Sequence, residues 1–245
     1  MAKIPRRLTP SLQAMPAVLI PPPELKAFGD EWVRKGNKLG RKRPLSSSDL
    51  CELFDKAVGD ALAAMLGNLP VVTPNGNDLT PAQPNCVEVG PVRIVGGVRP
   101  QNFDVGYRPD GVRFAFDSKS LNDADSVKKN WQNMINDLAT EATTVHTRFP
   151  HAVVAFMVIF PEPCIGEPRL SAVIQTLERL SRRTGFDEPV HRAEVISFVL
   201  WDPTTGTIKP NFPTSESPLR IEVFSEQVEA IYHSRYKGLP PHTSV

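Results

Sequence analysis

Residues 151–160, "HAVVAFMVIF", form an almost unbroken apolar run that Pro161 ends. A strand with one wet face alternates polar and apolar residues. This run does not alternate, and it reads as a strand buried on both sides. Such a strand needs cover above and below, so the expected class is α/β, with helices on both faces of the sheet. The chain supplies the helices. In "SSSDLCELFDKAVGDALAAMLGN" (46–68), Leu50, Phe54, Ala57, Ala61 and Met65 repeat at helical spacing, serines precede them as N-cap candidates, and Gly67-Asn68 stops the helix. After residue 122, Val127, Trp131, Met134, Ile135, Leu138, Ala142 and Val145 share one helix face, with Asp123 or Asp125 as the cap.

Between these helices lie a broken strand, "CVEVGPVRIVGGV" (86–98), with a bend expected at Gly96-Gly97, and then a hairpin over 103–120. The core order is therefore helix, three strands, helix, strand. Residues 1–24 are Pro-rich and read as an extended arm, followed by a short helix at 24–35. A long loop covers 69–86. The last third predicts a helix at 168–183, a strand at 193–201, a Pro-rich excursion at 203–218, a short strand at 219–224 and a helix at 225–236. No repeat and no domain boundary is visible, so 1–245 reads as a single domain: arm, core at 46–160, and additions at 161–245.

The bulk numbers exclude more than they assert. A net charge of +1 names no partner. The three cysteines, Cys51, Cys86 and Cys164, are scattered and form no CxxC pair, which argues against a zinc ribbon or a disulfide framework and for a reducing, cytoplasmic setting. No apolar run reaches the roughly 18 residues of a membrane span. Prolines interrupt the N-terminal segment before any continuous apolar stretch, which argues against a signal peptide. The histidines show no metal-ligand spacing. "VGGVRP" is followed by no helix that would receive a phosphate, so a nucleotide cofactor is not expected.

The hairpin "FDVGYRPDGVRFAFDSKS" (103–120) carries charges on two otherwise apolar strands. Alternation puts Phe103, Val105 and Tyr107 on one face and Asp104 and Gly106 on the other; on the second strand Phe114, Phe116 and Ser118 oppose Ala115, Asp117 and Lys119. A two- or four-residue loop places Asp104 opposite Asp117, with Cβ atoms about 4.5–5.5 Å apart. A three-residue loop would set them on different faces. Opposed carboxylates repel, and a divalent cation between them reverses the sign. Magnesium suits this, because it takes oxygen ligands and commonly uses one or two carboxylates with waters and phosphate oxygens. Lys119 projects from the same face, where it could hydrogen-bond an attacking water and offset charge developing on a phosphate. The group suits in-line hydrolysis of a phosphodiester. The competing account is an exposed hairpin with an ordinary cross-strand ion pair.

Asp104, separated by twelve residues from Asp117-Ser118-Lys119, then a helix and a buried strand, resembles the PD-(D/E)xK nuclease superfamily, the restriction-endonuclease-like fold, over about residues 46–160; the resemblance implies a core with a central mixed β-sheet flanked by helices. Phe103 stands where the family name has proline, and the second acid is Asp. The resemblance implies that Asp104 and Asp117 bind magnesium together with the backbone carbonyl of Ser118, and that Lys119 assists the water. Many members add an acid from the helix before the sheet. Glu52, Asp55 and Asp60 are candidates, with Glu88 on the next strand as a further metal ligand. Glu52 and Asp55 stand off the apolar stripe, where a solvated helix face is the simpler account.

Phosphate contacts are expected from the loop "RKGNKLGRKRP", which holds Lys35, Lys38, Arg41, Lys42 and Arg43 and no acid. Lys128, Lys129 and Asn133, on the polar face of the helix after Lys119, are further candidates; a solvated face is the alternative there. The resemblance implies a magnesium-dependent endonuclease acting on double-stranded DNA, of the type II restriction kind, working as a homodimer on palindromic sites. Rival expectations are a repair or recombination nuclease that reads DNA structure, a DNA-binding protein without catalysis, and an interaction protein whose hairpin charges are a solvated edge.

Overall fold

A computed structural model describes residues 11–75 and 78–242. At its centre the apolar run becomes strand β5 (Val153–Pro161), buried at every residue. It pairs in parallel with β4 (Phe114–Ser120) on one side and β6 (Val195–Asp202) on the other. β4 is antiparallel to β3 (Pro100–Tyr107), which is antiparallel to β2 (Val87–Val95). Two-residue strands end the sheet: β1 (Val71–Val72), parallel to β2, and β7 (Thr207–Ile208), antiparallel to β6. The seven strands lie in sequence order, so this is a mixed sheet as expected.

Parallel neighbours need a crossover. Helix α3 (Ala124–His146) links β4 to β5, and α4 (Arg169–Leu180) links β5 to β6. Helices α1 (Pro22–Arg34) and α2 (Ser47–Met65) precede the sheet, and α5 (Phe224–Tyr236) follows it. Local chemistry sets the ends. Ser46 and Asp49 form a capping box on α2, and Gly67 and Asn68 end it with positive φ of 86° and 59°. Asp123 caps α3 by accepting from the Ser126 amide at 2.8 Å.

Strand alternation sorts the layers. One face carries Val105, Phe116 and Tyr107. Gly59 of α2 packs against Val89 and Val105 on it, and Phe224 and Tyr232 of α5 set their rings 6.0 Å from Phe116 and 6.4 Å from Tyr107. The other face carries Asp117 and Lys119, and α3 covers it. A contiguous apolar core runs from Met15 to Tyr236. No helix among the described residues is long and apolar enough to cross a membrane.

The break and the bend expected in 86–98 are present: β2 ends at Val95, and Gly96-Gly97 belong to the turn into β3. A Cβ on Gly96 would meet the Thr144 carbonyl, to which Gly97 N–H donates at 2.8 Å, so this turn packs flat on α3. Two other expectations are corrected. Residues 219–224 form no strand. The Leu219 carbonyl accepts from Phe198 N–H at 2.8 Å, but Pro218 before it has no N–H to add a second rung, and the chain turns into a 3-10 segment at Ile221–Val223. The N-terminal helix begins at Pro22, where the missing N–H costs nothing. Of the expected arm, residues 1–10 lie outside the described residues. Residues 11–21 have no regular structure, and Met15 and Val18 are buried.

Below the sheet, Glu194 ties four elements together. Its Oε1 accepts from Arg183 at 2.9 Å and Arg235 of α5 at 3.0 Å; its Oε2 accepts from the Val154 amide at 2.7 Å and lies 3.0 Å from His146 Nε2 at the end of α3. Burial would raise this carboxyl's pKa, but His146 and Arg235 outweigh it and hold the group ionised. Glu194→Ala would leave buried cations without a counter-ion. It is expected to lower unfolding free energy by about 3–5 kcal/mol, measured by urea denaturation; a loss within error would show the network to be dispensable.

Candidate active site

The connection between β3 and β4 spans six residues, 108–113, longer than the two or four considered from sequence. Its even count preserves the expected register: Val105 faces Phe116, Gly106 faces Ala115 and Tyr107 faces Phe114. Arg113 pins the turn through Asp110 and donates its amide to the Tyr107 carbonyl at 3.0 Å. The same register, continued, sets Asp104 across from Asp117.

The ladder stops just before that pair. Beyond Val105 and Phe116 the two strands part, and the Ser118 amide donates to Asp104 Oδ2 at 3.0 Å in place of a backbone carbonyl. In extended chain a residue's N–H and C=O leave on the same edge, so the Ser118 carbonyl opens into the same gap. Asp104 and Asp117 stand within hydrogen-bond reach of each other. Burial and the Asp117 carboxylate push Asp104 up to about 8. Burial pushes Asp117 up to about 6, against the hydrogen bond from Asp104 and the charge of Lys119. Two like groups this close do not both ionise at neutral pH; they share a proton.

Lys119 ion-pairs with Asp117, two residues back on the same face, and reaches Glu141 of α3 at 2.9 Å. Burial would lower its pKa, but these two carboxylates reverse the shift and hold it as an ammonium. Glu141 was not singled out in the sequence. The available signal was its place three residues after Leu138 and four before Val145, which puts a charge on the buried side of an amphipathic helix.

Asp55 corrects the solvated-face reading. It is only 4% exposed, and its carboxyl lies beside the Ser118 side chain. Burial, then the neighbouring Asp104 charge, raises its pKa well above the carboxylate range. Glu52 and Asp60 do lie on the exposed side, paired with Arg43 and Lys56. Glu88, the further ligand candidate, is committed elsewhere. Its oxygens take two bonds from Arg108, at 2.6 and 3.0 Å, and one from the Ala82 amide at 3.2 Å. A fully buried carboxylate needs such a partner, and Arg108, at the start of the turn, supplies it.

Asp55 and Asp104 line a cleft of about 650 Å³, walled by Phe28 of α1, Leu53 and Glu52 of α2, and Val89, Gly90 and Pro91 of β2. The β2 wall is bent by a bulge between Val89 and Val92, where Gly90 adopts φ 125°. Of the expected phosphate contacts, Arg43 stands at the cleft rim, paired with Asp49 and Glu52. Lys38, Arg41 and Lys42 are exposed on the same loop, and Lys35 pairs with Glu31 at 2.6 Å. Lys128, Lys129 and Asn133 are exposed on α3, with Lys129 3.7 Å from Asp125.

Among the described residues no three His, Cys, Asp or Glu side chains form a ready-made metal cage. Magnesium does not require one. It keeps several waters and takes one or two carboxylates, which the Asp104–Asp117 pair with the Ser118 carbonyl can offer. The donors are hard oxygens. The nearby Cys51 thiol, pushed up to about 12 by burial, stays protonated and adds no soft ligand. The donor set therefore fits magnesium. No family model, curated protein or solved structure matches the chain.

The proton shared in the pair has a consequence for stability. Unfolded, an Asp loses its proton near 4; folded, Asp104 keeps it to about 8 and Asp117 to about 6. The folded state binds more protons across that window, so stability without metal falls as pH rises from about 4 toward 8. In EDTA the melting temperature is expected to be lower at about pH 8 than at about pH 5.5. Added magnesium should raise it more at the higher pH, because the ion competes with the proton. Asp104→Asn should flatten both trends, and a parent protein with neither trend would rule out the close carboxyl pair.

Proposed function

We propose that the protein is a magnesium-dependent DNA endonuclease with a restriction-endonuclease-like core. The observation that carries the reading is the pairing of Asp104 with Asp117 at the point where β3 and β4 part, with the Lys119 ammonium beside them. Asp104, Asp117 and the Ser118 carbonyl would hold the ion. When bound, magnesium lowers the pKa of a coordinated water and polarises a phosphoryl oxygen. Lys119, held as an ammonium, donates hydrogen bonds rather than accepting a proton. It would orient the water and offset charge developing on the phosphate. Asp55, raised by burial and by Asp104, would ionise as a cation enters and add a carboxylate oxygen to the cleft wall.

Substrate positioning falls to the basic loop. Lys38, Arg41 and Lys42 are exposed beside Arg43 at the cleft rim and would bind phosphates by releasing counterions, without regard to sequence. The Pro-rich segments 69–86 and 203–218 are the candidates for base contacts in the grooves. A symmetric duplex site read by a two-fold dimer is the arrangement we favour, as in type II restriction enzymes.

Incubation with plasmid DNA and magnesium is expected to give a ladder of fixed bands. Asp117→Ala and Lys119→Ala should each cut at least ~100-fold more slowly. Cleavage of branched DNA alone would move the assignment to a repair or recombination nuclease, and intact DNA at every protein concentration would end the catalytic reading. In binding titrations, Arg41→Ala with Lys42→Ala should weaken affinity for all sequences alike. It should also reduce the slope of log K against log salt by about 2; an unchanged slope would remove the loop from the interface.

A further inference from the structure

We infer that Glu141 is the positioning residue for Lys119. Its carboxylate, reaching in from the helix layer, fixes where the ammonium stands once Asp117 is occupied by a cation. The mechanistic consequence rests on the nuclease reading; the geometry does not.

Lysine is a poor choice for a fixed charge. Its four-carbon stem is flexible, and its head is a point donor with no preferred plane. Something must hold it. Asp117 and Glu141 do so together, with Nζ 2.9 Å from Glu141 Oε1. Asp117 is the weaker anchor for a working site, because a carboxylate that turns to a divalent cation gives up much of its attraction for a neighbouring ammonium. Glu141 comes from the helix layer, is not among the residues that would hold the ion, and has no such competing duty. It stays behind as the anchor.

The surroundings of Glu141 fit this role better than a purely structural one. It is 3% exposed, on a helix face shared with Leu138, Ala142 and Val145, where an apolar residue would pack without desolvation cost. It is not placed to satisfy itself. Oε1 takes both of its hydrogen bonds, from Lys119 Nζ and from Gln101 Nε2 of β3, each at 2.9 Å, while Oε2 is buried without a partner among the described residues. An ion pair kept for stability alone would be expected to close its hydrogen bonds. The carboxylate is also rigidly carried. One turn further along α3, the Thr144 carbonyl accepts from Gly97 N–H at 2.8 Å, which docks the helix on the turn that leads into the strand of Gln101.

The test uses the full chain with Glu141→Ala and Glu141→Gln. The first readout needs neither metal nor DNA: the rate at which an amine-reactive reagent labels Lys119, followed by mass spectrometry. Glu141→Ala should label several-fold faster than parent, and Glu141→Gln, whose amide oxygen still accepts from Lys119, should fall between them. The second readout is cleavage with magnesium at varied DNA concentration. Glu141→Ala should lose on the order of 10-fold in kcat with KM little changed, because a misplaced group costs rate rather than binding, and Glu141→Gln should restore part of it. If Glu141→Ala does not fold, the Gln variant decides by the same two measurements. Parent-like labelling in the variants overturns the inference. So does a parent-like kcat from an active enzyme. Faster labelling in a protein that cuts no DNA would sustain the positioning role and refute the nuclease.

Discussion

Two carboxyl groups held within hydrogen-bond reach inside a sheet are in conflict unless something stands between them. A shared proton can do so, and Asp104 is driven up to about 8. A divalent cation would do it better, adding two charges where the proton adds one. Much of the local architecture serves to bring these groups together and keep them there. The β3–β4 ladder fixes their register. Its early end frees the Ser118 amide to hold Asp104, and the long core-facing side chains of Phe103, Val105 and Phe116 prevent the strands from slipping.

The sheet could not present such a pair if it were open on one side. β5 is buried along its whole length, so helices must lie on both faces, and each face contributes to the site. From one, α2 lowers Asp55 toward Asp104; from the other, α3 brings Glu141 to Lys119. The charge-bearing face of the hairpin is covered rather than wet, which is why every ionisable group there is shifted from its usual range or committed to a partner. The low-dielectric setting that makes two adjacent carboxylates costly is also what would give a bound cation and the ammonium their strength.

The cleft gives this charge an outlet. Its walls come from α1, α2 and the bulged part of β2, where Gly90 and Pro91 line the cleft together with Asp104. The basic loop then begins at the rim, with Arg43 already paired to acids of the cleft wall. On the proposed reading, a polyanion arriving there would exchange those pairs for phosphate contacts, with Lys38, Arg41 and Lys42 already exposed.

Several features needed only local rules. Helix α2 could be read from its serine cap and apolar spacing, β5 from an unbroken run, and the facing of Asp104 and Asp117 from the parity of the hairpin, because a side-chain period of two depends on nothing beyond the count between strands. The loop proved longer than expected and the facing survived, since six residues keep the parity of two or four. Local rules failed wherever partnership decided the outcome. Asp55 looked like a solvated helix residue and is buried, because α2 packs it beside Asp104 and Ser118 where the strands part. Glu141 was hidden inside an amphipathic stripe. Glu88, flanked by valines, was open to a role in the site until Arg108 took its carboxylate. The sequence alone determined which side chains share a face. Which charges meet across layers was decided only by tertiary packing, because that depends on how a helix sits on a sheet, and helical spacing fixes a helix's faces but not where it docks.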